Sequence, residues 1–236
     1  MKALGNDIKR TLLISRAQAD TVVTFLIGPE NEHVKPKTFI VHKEIACYHS
    51  LVLNAAFNSG FIEGQMQTYK LDDVSEGVFK LLVQWLYYQK LTLLPFDENW
   101  FPVSRDVEYS KILQDMNLVA LYVLADRLAM PSLQDLILET IENLSDKTCA
   151  IPVGCLHYVY DNTPQGSQLR KFFVDMTGKQ AEEEAFAPAK EHRLPRQFLL
   201  DLVIWHTGRR AAPEMVEPFE FFVPVQEEED DGSERN

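Results

Sequence analysis

The stretch from residue 39 to residue 57 constrains the fold more than any other part of the chain. Residues 39–41 form a short apolar run, typical of a strand, which His42 and Lys43 interrupt. Ser50 breaks the pattern again, and serine readily caps a following helix. Around these breaks, side chains recur at the three- and four-residue steps that place them on one helical face: Ile45, Ala46, His49, Val52, Leu53 and Ala56. The stretch predicts a strand that leads into two short, tightly joined helices.

The segments on either side predict a small sheet and an amphipathic helix. Residues 21–27 are rich in β-branched and aromatic side chains, which favours a strand that pairs with residues 39–41 in a hairpin. Residues 68–71 predict a third short strand. Asp73 and Glu76 then form a capping-box-like pair in front of a helix. Its apolar positions follow a regular helical period: Val78, Leu81, Leu82, Trp85 and Leu86.

The next part of the chain predicts a loop followed by two helices. Residues 91–115 show no period and are predicted to be a loop insertion. Residues 118–129 are apolar around most of the helical circumference, which favours a buried helix, and Pro131 starts another. We expect Trp85 and Leu121 to lie inside the core. The second of these helices has one apolar face: Leu133, Leu136, Ile137, Ile141 and Leu144.

The composition shifts after residue 145. Three further helices are predicted at residues 153–160, 168–177 and 195–207, either packed on the preceding unit or forming a small lobe. From residue 211 the chain turns Pro-rich and then acidic, which predicts disorder. The last two helices carry apolar stripes: Leu169, Phe172, Phe173 and Met176 in one, and Phe198, Leu199, Leu202, Val203 and His206 in the other.

The order and spacing of five segments carry a family resemblance. They are residues 20–25, the Phe-x-Val-His-Lys run at 39–43 with Ser50 and Phe57 behind it, and residues 61–64, 78–87 and 124–131. Together they resemble the BTB/POZ domain over roughly residues 18–145, and in particular the single-domain BTB proteins common in fungi. The resemblance implies an α+β fold, a small β-sheet capped by a helical cluster, and a protein-interaction module.

The predicted organisation has four parts. They are an N-terminal segment at residues 1–19, the BTB/POZ domain at 20–145, a helical C-terminal extension at 146–211 and an acidic, disordered tail at 212–236. In dimeric members of the family, an extension before the first strand is swapped between partners. Here that segment has only a thin apolar face, which departs from the pattern. A homo-oligomer remains an open expectation.

Charge and composition exclude several classes of protein. The formal net charge of -12 argues against direct nucleic-acid binding, because phosphate contacts need clustered Lys and Arg. No stretch approaches the roughly 18 apolar residues of a membrane span. The sparse set of 3 cysteines fits a reducing compartment. We predict an intracellular protein, nuclear or cytoplasmic, whose partners are other proteins rather than nucleic acid or membrane.

Three residues of the central stretch are candidates for catalysis. Cys47 with His42 or His49 would supply the nucleophile and base of a cysteine hydrolase. Cys47 and His49 are two positions apart on a predicted helix, about 200° around its axis, so their side chains face apart. We therefore predict that the protein is not an enzyme. The resemblance implies a structural role for His42 at the strand-to-helix corner, where we expect its side chain to bind backbone groups.

Metal and nucleotide sites find no support in the sequence. Cys149, Cys155 and His157 lack the paired Cys-x-x-Cys spacing of a zinc site, and a fourth ligand is missing. Residues 60–64 contain two glycines, but the Lys-Ser/Thr pair of a phosphate-binding loop does not follow them. We predict no catalytic residue, no cofactor and no metal.

The triplet Phe61-Ile62-Glu63 is the candidate protein-binding site. At this place, cullin-binding BTB adaptors carry a hydrophobic-x-acidic triplet, so the resemblance implies that Phe61 fills a cullin pocket and Glu63 accepts a hydrogen bond. The alternative is that Phe61 folds back onto its own domain and Glu63 is solvated. The predicted function is non-catalytic protein–protein interaction, as a substrate adaptor for a cullin-based ubiquitin ligase. The alternative function is a BTB-mediated oligomerising scaffold or transcription-associated regulator that does not bind a cullin.

Overall fold

A three-stranded mixed sheet lies at the centre of the first part of the molecule. The computed structural model of the chain describes residues 21–31, 34–93, 107–148, 150–180 and 194–209. Strand β1 (Val22–Ile27) is central, with β2 (Lys37–His42) antiparallel on one side and β3 (Thr68–Leu71) parallel on the other, as the hairpin pattern predicts. Alternate residues of β1 point into the core, because successive side chains of a strand face opposite ways: Val23, Phe25 and Ile27.

Two short helices follow β2 directly, as predicted. They are α1 (Lys43–His49) and α2 (Leu51–Phe57), and the buried Ser50 joins them. The Ser50 hydroxyl oxygen accepts a hydrogen bond from the Leu53 N–H at 3.0 Å, and the hydroxyl donates to the Leu128 carbonyl oxygen at 2.6 Å. One hydroxyl therefore caps α2 and ties the helix pair to a segment 78 residues further along the chain.

The helix that begins at residue 76 has a different cap from the predicted one. Helix α3 (Ile62–Met66) precedes β3, and α4 (Glu76–Tyr88) follows it. The cap of α4 is Ser75, whose hydroxyl oxygen accepts from the Val78 N–H at 3.3 Å. The capping role predicted for Asp73 is wrong, because Asp73 lies two residues too early to reach the first turn. The Asp73 carboxylate forms an ion pair with Arg127 instead.

Helix α5 (Val107–Arg127) begins inside the segment that was predicted to be a loop. That prediction is wrong for residues 107–115, while residues 94–106 lie outside the described part of the chain. The reason is an inverted pattern, since Ile112 and Leu113 are exposed whereas Gln114 is buried. Apolar periodicity cannot reveal a helix whose apolar side chains face outward. The later half of α5 is buried as expected, and Trp85 and Leu121 both lie inside the core.

Helix α6 (Pro131–Thr148) follows a sharp joint and crosses the predicted domain boundary at residue 145. Ala129 at the joint has a φ of 51°, the left-handed conformation that commonly ends a helix. The helices of the extension come next. They are a 3-10 turn (Val153–Cys155), α7 (Leu156–Asn162), α8 (Gln168–Gln180) and α9 (Arg196–Arg209).

The extension packs on the preceding helices and shares one hydrophobic core with them. Leu156 and Val159 of α7, Phe173 of α8 and Phe198 of α9 are fully buried in that core. The apolar stripe predicted for α9 is only partly correct, because Val203 and His206 are exposed to solvent. No helix in the described ranges is both long enough and apolar enough to span a membrane.

Candidate protein-interaction surfaces

Helix α3 is a single short turn held tightly to the end of α2. A Cβ atom added to Gly64 would lie 2.0 Å from the Ser59 carbonyl oxygen, so only glycine allows this approach. Gln67 ends the helix with a φ of 48°, and its side-chain amide donates to the carbonyl oxygens of Phe57, at 3.0 Å, and Gly64, at 2.5 Å. These contacts fix the position of α3 relative to α2.

The α3 surface, defined here as Phe61, Ile62, Glu63 and Met66, presents apolar side chains to solvent. Phe61 is 75 % exposed, Ile62 70 % and Met66 67 %. Phe61 therefore does not fold back onto its own domain. Glu63 is half-buried, and no residue in the described part of the chain forms a hydrogen bond or ion pair with its carboxylate. The surface combines an exposed aromatic ring with an available hydrogen-bond acceptor.

The corner between β2 and α1 differs from the expectation for His42. No backbone group of the described residues bonds to the His42 ring; its Nδ1 forms a 2.7 Å hydrogen bond with the Tyr87 hydroxyl. The same hydroxyl oxygen accepts from the His42 backbone N–H at 3.1 Å, and the Lys43 N–H donates to the Thr21 carbonyl oxygen. The Tyr87 hydroxyl, and not the His42 imidazole, therefore accepts the hydrogen bond from the backbone N–H at this corner.

Lys43, which follows His42 in the chain, connects the start of α1 to the end of α2. Its ammonium group donates to the Phe57 carbonyl oxygen at the C-terminal end of α2, at 3.0 Å. The exposed carbonyl groups at a helix C-terminus favour a cation there. This interaction gives a physical reason for a lysine at the start of α1, which the sequence pattern alone did not supply.

Cys47 and His49 face different neighbours. The Cys47 thiol lies near Asn58 and the Leu53 carbonyl oxygen, both at 3.9 Å, and burial raises its pKa. The His49 ring packs against the Trp85 ring with centroids 4.9 Å apart, and burial lowers its pKa. Activated cysteine nucleophiles need the opposite shift, a lowered thiol pKa beside a base. The structure does not bring these two side chains together.

The residues considered as metal ligands also differ in their exposure to solvent. Cys155 is buried and His157 is exposed, while Cys149 lies outside the described residues. Burial and the Asp115 carboxylate raise the pKa of Cys155 to about 12, which keeps the thiol protonated and inert. Across the described ranges, no three side chains among His, Cys, Asp and Glu cluster in a way that could hold a metal ion.

A cleft that the sequence did not predict lies where the extension meets α5 and α6. We call it the junction cleft, and its volume is about 570 Å³. Tyr122 and Asp126 of α5 and Asp135 and Leu138 of α6 form one side, and residues 162–168 form the other. The cleft depends on how the loop between α7 and α8 packs across two distant helices. No local pattern in the chain encodes that contact.

The molecule combines a small mixed sheet capped by helices with apolar side chains exposed on α3, and exposed apolar patches mark interaction sites. Residues 32–145 match the family model described as BTB/POZ domain. The chain therefore contains a BTB/POZ domain over these residues, and this domain mediates protein–protein interactions. The match ends within α6, so the extension lies beyond it. No curated protein matches the chain, and its likeness to fungal single-BTB proteins stays a prediction.

Proposed function

We propose that the protein is a non-catalytic adaptor that docks a cullin through the α3 surface. In this proposal Phe61 enters an apolar pocket of the cullin, and the Glu63 carboxylate accepts a hydrogen bond from it. The observation that carries the proposal is the exposure of Phe61 beside an acceptor that has no partner in the described part of the chain. An exposed large aromatic side chain with apolar neighbours is typical of a binding hot spot.

The packing of α3 favours tight binding by this surface. Residues that must be ordered on association cost free energy, roughly 0.5–1.5 kcal/mol for each flexible side chain. The close approach of Gly64 to Ser59, with the two hydrogen bonds of the Gln67 amide, holds the α3 backbone in place before a partner arrives. The side chains of the α3 surface are then the groups left to be ordered on binding.

An adaptor also needs a second surface, because it joins a scaffold to a substrate. The family match covers residues 32–145, and the helical extension follows it in the chain. Helices α7, α8 and α9 share a core with the BTB/POZ domain, so a substrate bound to them would be held rigidly relative to α3. We assign substrate recruitment to the extension on this ground.

Titration with a purified cullin N-terminal domain tests the proposal. Wild type is compared with the double variant Phe61→Ala and Glu63→Ala, and with Ile204→Ala as the matched control. Ile204 is 66 % exposed and lies on α9, away from the family match. We expect binding by wild type and the control, and at least about a thirtyfold loss in the double variant, since hot-spot truncations cost about 2 kcal/mol or more. Equal binding by all three, or none by wild type, would overturn the proposal.

The second candidate function is an oligomerising scaffold or transcription-associated regulator without cullin binding. The observation that favours it is the edge strand β2, which pairs only with β1 in the described sheet and carries the exposed Ile40 on its outer face. An exposed strand edge can pair with another chain. Residues 1–19, the segment considered for strand swapping, lie outside the described ranges. Light scattering that gives a plain monomer at high protein concentration would exclude an obligate dimer.

A further inference from the structure

The junction cleft has the size of a binding site. Its volume of about 570 Å³ falls in the range of roughly 300–1,000 Å³ that is usual for ligand sites. One side belongs to the BTB/POZ helices α5 and α6, and the other belongs to the extension. Sites are often found where two structural units meet. None of the residues that line the cleft belongs to the α3 surface.

The charge of the cleft is negative. Asp126 and Asp135 line it, and its lining contains no Lys, Arg or His. Asp126 accepts one hydrogen bond, from the Gln134 amide at 3.1 Å, and neither carboxylate forms an ion pair with any described residue. Tyr122 lines the cleft beside both carboxylates, and burial and then their charges raise the pKa of its phenol.

Arg127 and Arg170, which lie close in sequence to cleft residues, are engaged elsewhere. The guanidinium of Arg127 pairs with Asp73. The guanidinium of Arg170 donates to the Tyr160 carbonyl oxygen at 2.7 Å and to the carbonyl oxygen of Thr163. Neither group neutralises Asp126 or Asp135, so the cleft favours a cation from another molecule.

The remaining lining fits a long basic side chain better than a small ion. Val123, Leu138 and Pro164 supply apolar surface, against which the aliphatic part of a lysine or arginine packs while its charged end reaches a carboxylate. Gln168 and Asn162 also line the cleft. The Asn162 amide nitrogen donates to the Tyr158 carbonyl oxygen at 2.9 Å, and no described residue forms a hydrogen bond with the Gln168 amide. These neutral polar groups match the N–H and C=O groups of a peptide backbone.

We infer that the junction cleft binds an extended segment of a partner protein through one arginine or lysine side chain. The cation lies between Asp126 and Asp135, its aliphatic stem lies against Val123 and Leu138, and the loop at residues 162–168 contacts the peptide backbone. This inference rests on the proposed function in one respect, because it gives the adaptor its substrate-docking site.

Selection from a random heptapeptide library displayed on phage, with the full chain as bait, tests the inference. We expect enrichment of peptides with an arginine or lysine at one fixed position. Affinity is then measured by fluorescence anisotropy with a selected peptide. Asp135→Asn should weaken binding about two- to fivefold, since Asp135 is exposed and ion pairs at exposed carboxylates are weakened by solvent. The matched control Asp72→Asn removes an exposed carboxylate outside the cleft and should leave affinity unchanged.

A change in the peptide alone keeps the test independent of protein folding. Replacement of the selected arginine by citrulline, which keeps the shape and removes the charge, should cause a loss similar to that of Asp135→Asn. The inference is overturned if no basic residue is enriched, if citrulline binds equally, or if agmatine alone binds as tightly as the peptide. Peptide binding by the Phe61→Ala and Glu63→Ala variant separates the two proposals. Peptide binding by this variant should persist even if no cullin binds the wild type.

Discussion

Gly64 and Ser59 approach each other so closely that a Cβ atom on residue 64 would lie 2.0 Å from the Ser59 carbonyl oxygen. This contact ties α3 to the end of α2 and sets the direction in which Phe61 points. The substitution Gly64→Ala must therefore move backbone, because the opposing atom is itself a backbone oxygen. We expect it to destabilise the fold by about 1–3 kcal/mol in urea unfolding.

Gly60→Ala is the matched control for this substitution. A Cβ atom on residue 60 would meet no atom within 4 Å, although it lies only four positions away. We expect a change of less than about 0.5 kcal/mol. If both variants unfold at the same urea concentration, α3 does not pack tightly on the end of α2 through Gly64.

Ser50→Ala removes the hydroxyl that joins the first helical pair to the end of α5. The substitution leaves the Leu53 N–H without its cap and the Leu128 carbonyl oxygen without its donor, in a fully buried place. We expect a loss of about 2–4 kcal/mol in the free energy of unfolding. Ser75→Ala removes a cap at an exposed position and should cost only about 1 kcal/mol. If Ser75→Ala lowers the free energy of unfolding as much as Ser50→Ala does, Ser50 does not join the helical pair to the end of α5.

Asp115 makes stability depend on pH in a specific direction. Burial raises the pKa of its carboxyl from 3.8 to about 6, partly offset by Lys111. Between these two values the folded chain holds a proton that the unfolded chain has lost, so stability falls as pH rises towards about 6. Above about pH 6 the charged, buried carboxylate is a constant cost of at most about 3 kcal/mol.

Asp115→Asn should remove that cost. We expect the variant to exceed wild type in stability by more at about pH 8 than at about pH 4.5, measured as the difference between two urea unfolding curves. Asp72→Asn, which removes an exposed carboxylate, controls for the general loss of a negative charge. A difference between Asp115→Asn and wild type that stays constant over this range would show that Asp115 is not desolvated.

Gly178→Ala should weaken the packing of α9 on α8. A Cβ atom on residue 178 would lie 2.5 Å from Cζ3 of Trp205, in the contact between α8 and α9. Trp205 also donates from its indole N–H to Asp175 at 3.1 Å, so the ring cannot move without losing this hydrogen bond. We expect a loss of about 1–3 kcal/mol and a shift of tryptophan fluorescence.

Gly208→Ala on α9 is the control, because a Cβ atom there meets no atom within 4 Å. Alanine has a higher helix propensity than glycine, so this variant should be neutral or slightly more stable. If Gly178→Ala behaves like Gly208→Ala, α8 and α9 do not pack through Trp205.

Regular periodicity predicted the parts of the fold in which apolar side chains face the core. Trp85 and Leu121 are buried as expected, and Ser50 joins two helices as its capping propensity indicated. The prediction failed where a helix turns apolar side chains outward, as at Ile112 and Val203. At such positions an apolar side chain predicts burial, whereas the structure exposes it to solvent.

The candidate site was predictable only where it is local in sequence. The resemblance drew attention to Phe61, Ile62 and Glu63, but the exposure of Phe61 and Ile62 depends on the glycine contact that positions α3. Contacts between residues far apart in the chain could not be predicted from the sequence. Tyr87 satisfies the corner at His42 from 45 positions away, and the junction cleft unites three separate segments of the chain.

A photo-crosslinking measurement tests the central claim most directly. Phe61 is replaced by p-benzoylphenylalanine in one sample and Ile204 in another, and each is irradiated with a purified cullin N-terminal domain. Both side chains are exposed, so the control matches the probe in accessibility. The account predicts a crosslink to the cullin from position 61 and none from position 204. Equal crosslinking from the two positions, or none from position 61, would contradict it.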